Sequence, residues 1–263
     1  MGETIAIANQ KGGVGKTPTV ISLGTWLALG GKRVLIVDLD PQANATSGLG
    51  IDPKALPASI YHGLVDGRPA AELILPTSVP GCALLPSHPD LAGAEIELVR
   101  ERGRERRLAA VLGPVAHDYD FLLVDCPPTL SLLTVNGLTA AGSVLIPLQC
   151  EFFALEGLSQ ILETIDLVRS HLNPDLHLRG VLLTMADART TLSGAVADEV
   201  RGKLGAQVFT TVIPRNVRLA EAPSHGLPIA TYRPASPGGQ AYAALAAELL
   251  GHDVGARSAV AVR

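Results

Sequence analysis

The chain has 263 residues, of which 47% are hydrophobic and 17% charged, with a formal net charge of −4. This length and apolar content can bury a large core without disulfide or metal staples, and they exclude disorder over most of the chain. The charge excludes a global attraction to nucleic acid or anionic lipid, so any such partner must be held by a local basic patch.

Short β-rich apolar runs at 4–9, 33–38, 121–125, 143–147, 180–184 and 208–213 read as strands. Helical patterns lie between them at 16–29, 94–116, 155–171 and 193–204, and Gly30-Gly31 closes the first as a C-cap signal. This alternation predicts an α/β fold: a mostly parallel twisted sheet with helices on both faces. The stretch 51–91, richer in Pro and Gly and less periodic, reads as an irregular excursion rather than a second domain. The expected organisation is one domain over 1–251 and a loosely ordered tail over 252–263.

Cys82, Cys126 and Cys150 are an odd number of cysteines at wide spacing. They fit neither a disulfide framework nor a zinc knuckle, and a reducing cytoplasm is the expected compartment. Neither an export signal nor a lipidation signal is legible at the start, and runs such as 34–37 and 144–146 are far too short to span a membrane.

The first strand leads into Gln10-Lys11-Gly12-Gly13-Val14-Gly15-Lys16-Thr17, and a helix follows. Placed there, backbone N–H groups converge on an anion and glycines let the chain approach phosphate oxygens. Lys16 is expected to reach the β/γ-phosphates and the Thr17 hydroxyl to coordinate Mg²⁺. Asp38 and Asp40 follow one apolar run and Asp125 ends another, so these carboxylates are expected beside the loop, holding Mg²⁺ waters (Asp38, Asp125) or orienting the attacking water (Asp40).

Gln10 stands where the usual P-loop has its first glycine, and Lys11 adds a second lysine, the deviant Walker A form. In this the sequence resembles the ParA/MinD family of P-loop ATPases. The resemblance continues through Val37-Asp38-Leu39-Asp40-Pro41-Gln42 and Leu123-Val124-Asp125-Cys126-Pro127-Pro128. It extends to the segments 44–50, 94–98, 150–158, 187–190 and 213–218, and is closest to the small chromosomal ParA proteins, also called Soj. It implies an ATP- and Mg²⁺-dependent homodimer in which Lys11 reaches the partner's nucleotide. Gly12, Gly13, Val14, Gly15, Lys16, Thr17 and Pro18 would surround the phosphates, and Met185, Pro214 and Asn216 the adenine.

The same resemblance implies a weak ATP hydrolase of chromosome or plasmid partition, cytoplasmic and nucleoid-associated, stimulated by a ParB/Spo0J-type centromere-binding protein. Its dimer would bind double-stranded DNA without sequence preference. Arg189 and Arg218 match positions that serve this purpose, and Arg201, Lys203, Arg215 and Arg233 would extend the patch. No membrane partner is expected, since 251–263 offers no wide apolar stripe, which weighs against a MinD-like membrane ATPase. Cysteine contexts do not match the cluster ligands of the related nitrogenase iron protein. Pro18 departs from the family's Thr and removes an N–H that P-loops commonly give to the α-phosphate, so a nucleotide- and DNA-binding dimer with little turnover is the other alternative.

Overall fold

The computed structural model describes residues 2–151, 153–187 and 189–259, with side chains described through residue 251. Phe152 and Ala188, which belong to segments carrying the family resemblance, and tail residues 260–263 lie outside the described residues. In chain order the elements are β1 (Glu3–Ile7), α1 (Lys16–Leu29), β2 (Val34–Asp38), α2 (Asn44–Gly48), α3 (Ile60–Val65), β3 (Leu75–Pro76) and β4 (Cys82–Leu85). Next come α4 (Leu91–Glu97), α5 (Arg107–Leu112), β5 (Phe121–Asp125), α6 (Leu132–Ala140), β6 (Ser143–Gln149) and α7 (Ala154–His171). The chain continues through β7 (His177–Ala186), α8 (Thr191–Leu204), β8 (Val208–Pro214), α9 (Val217–Glu221), α10 (Ile229–Tyr232) and α11 (Pro237–Ala259).

Among the described residues the strands form one sheet in the order β3-β4-β2-β5-β1-β6-β7-β8, parallel except for the antiparallel β3–β4 pair. Strand side chains alternate between two cores, as a period of two requires. Ala6, Leu35, Val37, Leu122 and Val124 face one cluster with residues of α3 to α8. Ile5, Val34, Ile36, Phe121 and Leu123 face the other, closed by Val20, Leu23 and Leu27 of α1 and by Tyr242, Leu245 and Leu249 of α11. Being buried on both faces is why these strands read as continuous apolar runs.

The register places the functional edge. Ile7 pairs with Asp125, and Asp38 also pairs with Asp125, so the loop leaving β1 and two acidic strand ends lie side by side. From β1 the chain crosses to β2 on one side, whereas from β5 it crosses to β6 on the other, which opens the crevice where open α/β sheets bind ligands. α1 covers the exact span that its pattern predicts, and Gly31 at φ 87° ends it, with Gly31 N–H donating to Ala28 O (2.9 Å) and Lys32 N–H to Leu27 O (3.1 Å).

The structure differs from the sequence expectations in two places. The stretch 51–91 contains α3, β3 and β4, and β4 extends the sheet in parallel with β2. A four-residue apolar strand between turn-forming residues leaves too little periodicity to read. The single helix expected at 94–116 is broken between α4 and α5, where Gly103 adopts φ 70°. Buried Leu98, Leu108, Val111 and Leu112 keep a helical spacing across the break, while Asn136 of α6 holds it, accepting from Leu108 N–H and donating to Arg104 O. The backbone of α11 runs on to Ala259.

Candidate nucleotide and metal site

The loop between β1 and α1 owes its shape to two glycines, Gly13 (φ 74°) and Gly15 (φ 92°), in left-handed conformations that side chains rarely tolerate. Gln10, at the missing glycine's place, has no positive φ, so a side chain is permitted there. That side chain anchors the loop to α7, donating from Nε2 to Thr164 Oγ1 (2.9 Å). Asn9 bridges in the same way, accepting from Lys11 N–H and donating to Pro147 O. At the far end of the loop, the Thr184 hydroxyl of β7 donates to Val14 O (2.8 Å).

Lys16 begins α1 and is buried, with Nζ donating to Asn9 O (2.9 Å) and Lys11 O (3.1 Å). Burial lowers its pKa, while the charges of Asp125 and Asp40 pull the other way. The ammonium is therefore held at the centre of the loop, where phosphate oxygens can replace two backbone carbonyls as acceptors.

Two clefts meet at Gly15 and Pro18. The first, about 520 Å³, is lined by Gly12, Gly13, Lys16, Thr17, Asp40 and Pro128 among others. The second, about 500 Å³ and more apolar, is lined by Met185, Pro214, Asn216 and Tyr242 among others. The residues expected around phosphate and those expected around adenine thus fall into adjoining spaces, with Val14 buried behind the loop. Met185, in the lining of the second cleft, holds φ 51°, and strain of this kind clusters at ligand sites. Asn216 caps α9 through Oδ1, accepting from Arg218 N–H (3.0 Å), which leaves its Nδ2 donor for other partners.

The acidic residues divide into different tasks. Asp38 is fully buried and accepts from Thr46 N–H (2.8 Å), Thr46 Oγ1 (2.7 Å) and Asp40 N–H (3.3 Å), so its carboxylate organises the segment after β2. Burial nevertheless pushes its pKa to about 6. Asp40 accepts from Gln42 N–H (2.9 Å) in a turn and also lines the first cleft.

Asp125 is fully buried, and neither carboxylate oxygen has a hydrogen-bond partner of good geometry among the described residues. Burial drives its pKa well above the usual range, the neighbouring Asp38 adds to the rise, and the Thr17 hydroxyl offsets only part of it. An uncompensated carboxyl beside a hydroxyl and a second carboxylate suits a hard divalent cation. Among the described residues no cluster of three or more Asp, Glu, His or Cys side chains forms a metal cage. Mg²⁺ keeps several waters and takes phosphate oxygens alongside one or two protein ligands, a donor set to which the Thr17 hydroxyl and the Asp125 carboxyl are suited by their chemistry.

Lys11 is only partly buried, and its Nζ lies 3.2 Å from Glu151 Oε2, a partner that the sequence pattern did not single out. Arg215 approaches the other Glu151 oxygen at 4.0 Å. Of the remaining candidate cations, Arg189 and Arg215 line one cleft and Arg218 and Arg233 another, while Arg201 and Lys203 stand exposed on α8. Arg189 is held by Asp187 (2.7 Å), Arg218 by Glu221 (2.6 Å) and Lys203 by Glu199 (3.1 Å). The candidate cations are thus distributed over two clefts and the exposed face of α8.

Residues 2–178 match a family described as an AAA domain. The chain is 53% identical to the chromosome partitioning protein ParA of Myxococcus xanthus, covering 96% of this chain and 89% of that protein. It is 55% identical to the sporulation initiation inhibitor protein Soj of Bacillus subtilis, covering 95% and 98%. A crystal structure of cobyrinic acid a,c-diamide synthase from Mycobacterium smegmatis with bound ADP and magnesium is similar with a TM-score of 0.86 at 42% identity, over 98% of this chain and 97% of that one.

The raised acids predict a proton effect. Both Asp38, moved from 3.8 to about 6, and Asp125 favour the protonated form in the fold, so their contribution to stability is greatest at low pH. For Asp38 it is lost as pH rises from about 4 through 6. A cation needs the ionised form, so binding of Mg²⁺ with ADP near pH 6 releases protons. Titration calorimetry in two buffers of different ionisation enthalpy should give different heats, and Asp125→Asn should shrink the difference. Equal heats for the wild type would contradict the assignment.

Proposed function

The chain belongs to the ParA/MinD family of P-loop ATPases and is Soj-like within it, and from that premise we propose that it works as a nucleotide-dependent dimeric switch on DNA. Family membership gives the coarse activity: a chromosome-partitioning ATPase on a fold that holds nucleotide and magnesium. We read residues 1–251 as the working domain, cytoplasmic and nucleoid-associated. The observation that carries the reading is the convergence on one cleft of the glycine cradle, Lys16, Thr17 and Asp40, with the carboxyl of Asp125 fully buried beside Thr17.

In this reading the amides around Gly12 to Thr17 and the Lys16 ammonium grip the phosphates of ATP, and the adenine lies against Met185, Pro214 and Asn216. Thr17 and Asp125, with Asp38 behind them, would hold Mg²⁺, which neutralises charge on the β/γ-phosphates. Asp40 orients the attacking water. Lys11 leaves Glu151 for the nucleotide of a second copy; a half-exposed ion pair is worth roughly 0–1 kcal/mol, so a triphosphate is a sufficient competitor.

Dimerisation would double the basic surface that one chain offers. DNA phosphates would replace Asp187 and Glu221 as partners of Arg189 and Arg218, giving affinity without base reading. Arg201, Lys203, Arg215 and Arg233 extend the contact. Hydrolysis, stimulated by a ParB-type partner, removes the γ-phosphate that Lys11 grips and so releases both dimer and DNA.

Sedimentation velocity tests this directly: ATP with Mg²⁺ should convert monomer to dimer and ADP should not. Lys11→Ala should abolish the ATP-induced dimer while leaving ADP affinity within about threefold, because the proposed contact lies on the partner's nucleotide. A monomer at saturating ATP in the wild type would refute the reading. Pro18 lines both clefts without an N–H to donate. A lost charge-assisted hydrogen bond of about 1.5–3 kcal/mol predicts that Pro18→Thr tightens ATP binding by about 10- to 150-fold. Unchanged affinity would dismiss that hydrogen bond, and tighter binding with restored turnover would favour a wild-type dimer of little turnover.

A further inference from the structure

We propose that Ser87 is a positioning residue for Asp40, acting through the backbone of residue 40 and never touching the nucleotide. The inference rests on the ATPase reading of the first cleft. It starts from a mechanical question: Asp40 lies on the segment between β2 and α2, and something must fix a carboxylate that is to aim a water.

Both sides of the residue 40 backbone are held by buried side chains. Asp40 N–H donates to Asp38 Oδ1 (3.3 Å), while Asp40 C=O accepts from Ser87 Oγ (2.7 Å) and from Ala43 N–H (2.9 Å). Gln42 N–H occupies Asp40 Oδ1 (2.9 Å), which sets the side-chain rotamer and leaves Oδ2 as the oxygen for a water. Ser87 N–H donates in turn to Thr46 Oγ1 (3.0 Å), and the Thr46 hydroxyl donates to Asp38 Oδ2 (2.7 Å). The hydrogen bonds close a circuit through Asp38, Thr46, Ser87 and Asp40.

Asp38, Thr46 and Ser87 are each 0% exposed and Asp40 is 6% exposed, so the circuit lies in a low-dielectric interior where satisfied networks are stiff. The Thr46 hydroxyl donates once and accepts once, within its capacity. The clasp surrounds a strained turn: Ala43, also 0% exposed, adopts φ 53°, a left-handed conformation that a non-glycine residue holds only when its surroundings over-determine it. Ser87 comes from outside that turn, in the connection from β4 to α4, and does not line the cleft. Its hydroxyl therefore ties the water-aiming segment to a second part of the sheet edge.

The test uses full-length Ser87→Ala, Thr46→Val and Thr46→Ser, comparing the ATP hydrolysis rate constant, ADP affinity and amide hydrogen exchange across residues 40–46. Ser87→Ala and Thr46→Val should slow hydrolysis by about tenfold or more, since small misplacements of a reacting group are costly, while ADP affinity stays within about twofold. Exchange at 42, 43 and 46 should accelerate in both. Thr46→Ser, which keeps the hydroxyl, should retain the wild-type rate. An unchanged hydrolysis rate, or one that falls only in step with ADP affinity, overturns the proposal. Thr46→Val preserves side-chain shape and carries the test if Ser87→Ala does not fold. If the wild type hydrolyses no ATP, the ATPase reading itself fails, and unchanged exchange in the variants then separately overturns the clasp.

Discussion

A buried, under-compensated carboxyl is the feature on which the rest of this structure depends. Asp125 ends β5 in register with Asp38 of β2 and Ile7 of β1, with the Thr17 hydroxyl beside it and no hydrogen bond of good geometry to either oxygen among the described residues. A charge in that position is costly unless something compensates it, and the nearby Lys16 ammonium is itself engaged with loop carbonyls. The site is built to be completed from outside, by a cation and an anion together.

The surrounding framework bears that cost by being rigid. Loop geometry comes from Gly13 and Gly15, and its ends are pinned by Thr184, Asn9 and Gln10 to β7, the end of β6 and α7. The two described non-glycine residues with positive φ, Ala43 and Met185, flank the water-aiming segment and the apolar cleft. Strain and unpaired charge thus gather at one sheet edge, while the two cores beneath hold apolar residues in alternation. Binding energy spent on completing such a site is available to change what the chain associates with.

Much of this was legible from sequence because local rules and global fold agree over those stretches. β5 and α1 have the expected bounds, since one is an apolar run ending in Asp125 and the other begins after a glycine loop and stops at Gly30-Gly31. The loop residues from Gly12 to Pro18 that line the first cleft were legible locally, because they are contiguous in the chain. Contacts between distant segments were not. Nothing local links Lys11 to Glu151, Val14 to Thr184 or Asp40 to Ser87, because each pair meets only after strands far apart in sequence come into register. Periodicity misled at 94–116 because Leu98 and Leu108 keep helical spacing across a turn at Gly103. It was silent at β4, where the strand is only four residues long.

Thermal unfolding of the wild type with Mg²⁺ alone, ADP alone and both together tests the unfinished-site account most directly. Each alone leaves one charge uncompensated, so the account predicts that the pair raises the melting temperature by clearly more than the two separate shifts combined. At a hundredfold excess over the dissociation constant the gain should be about 2.7 kcal/mol. Additive shifts, or no shift at millimolar ligand, would contradict the claim that Asp125 and the glycine loop complete each other through a metal-bound nucleotide.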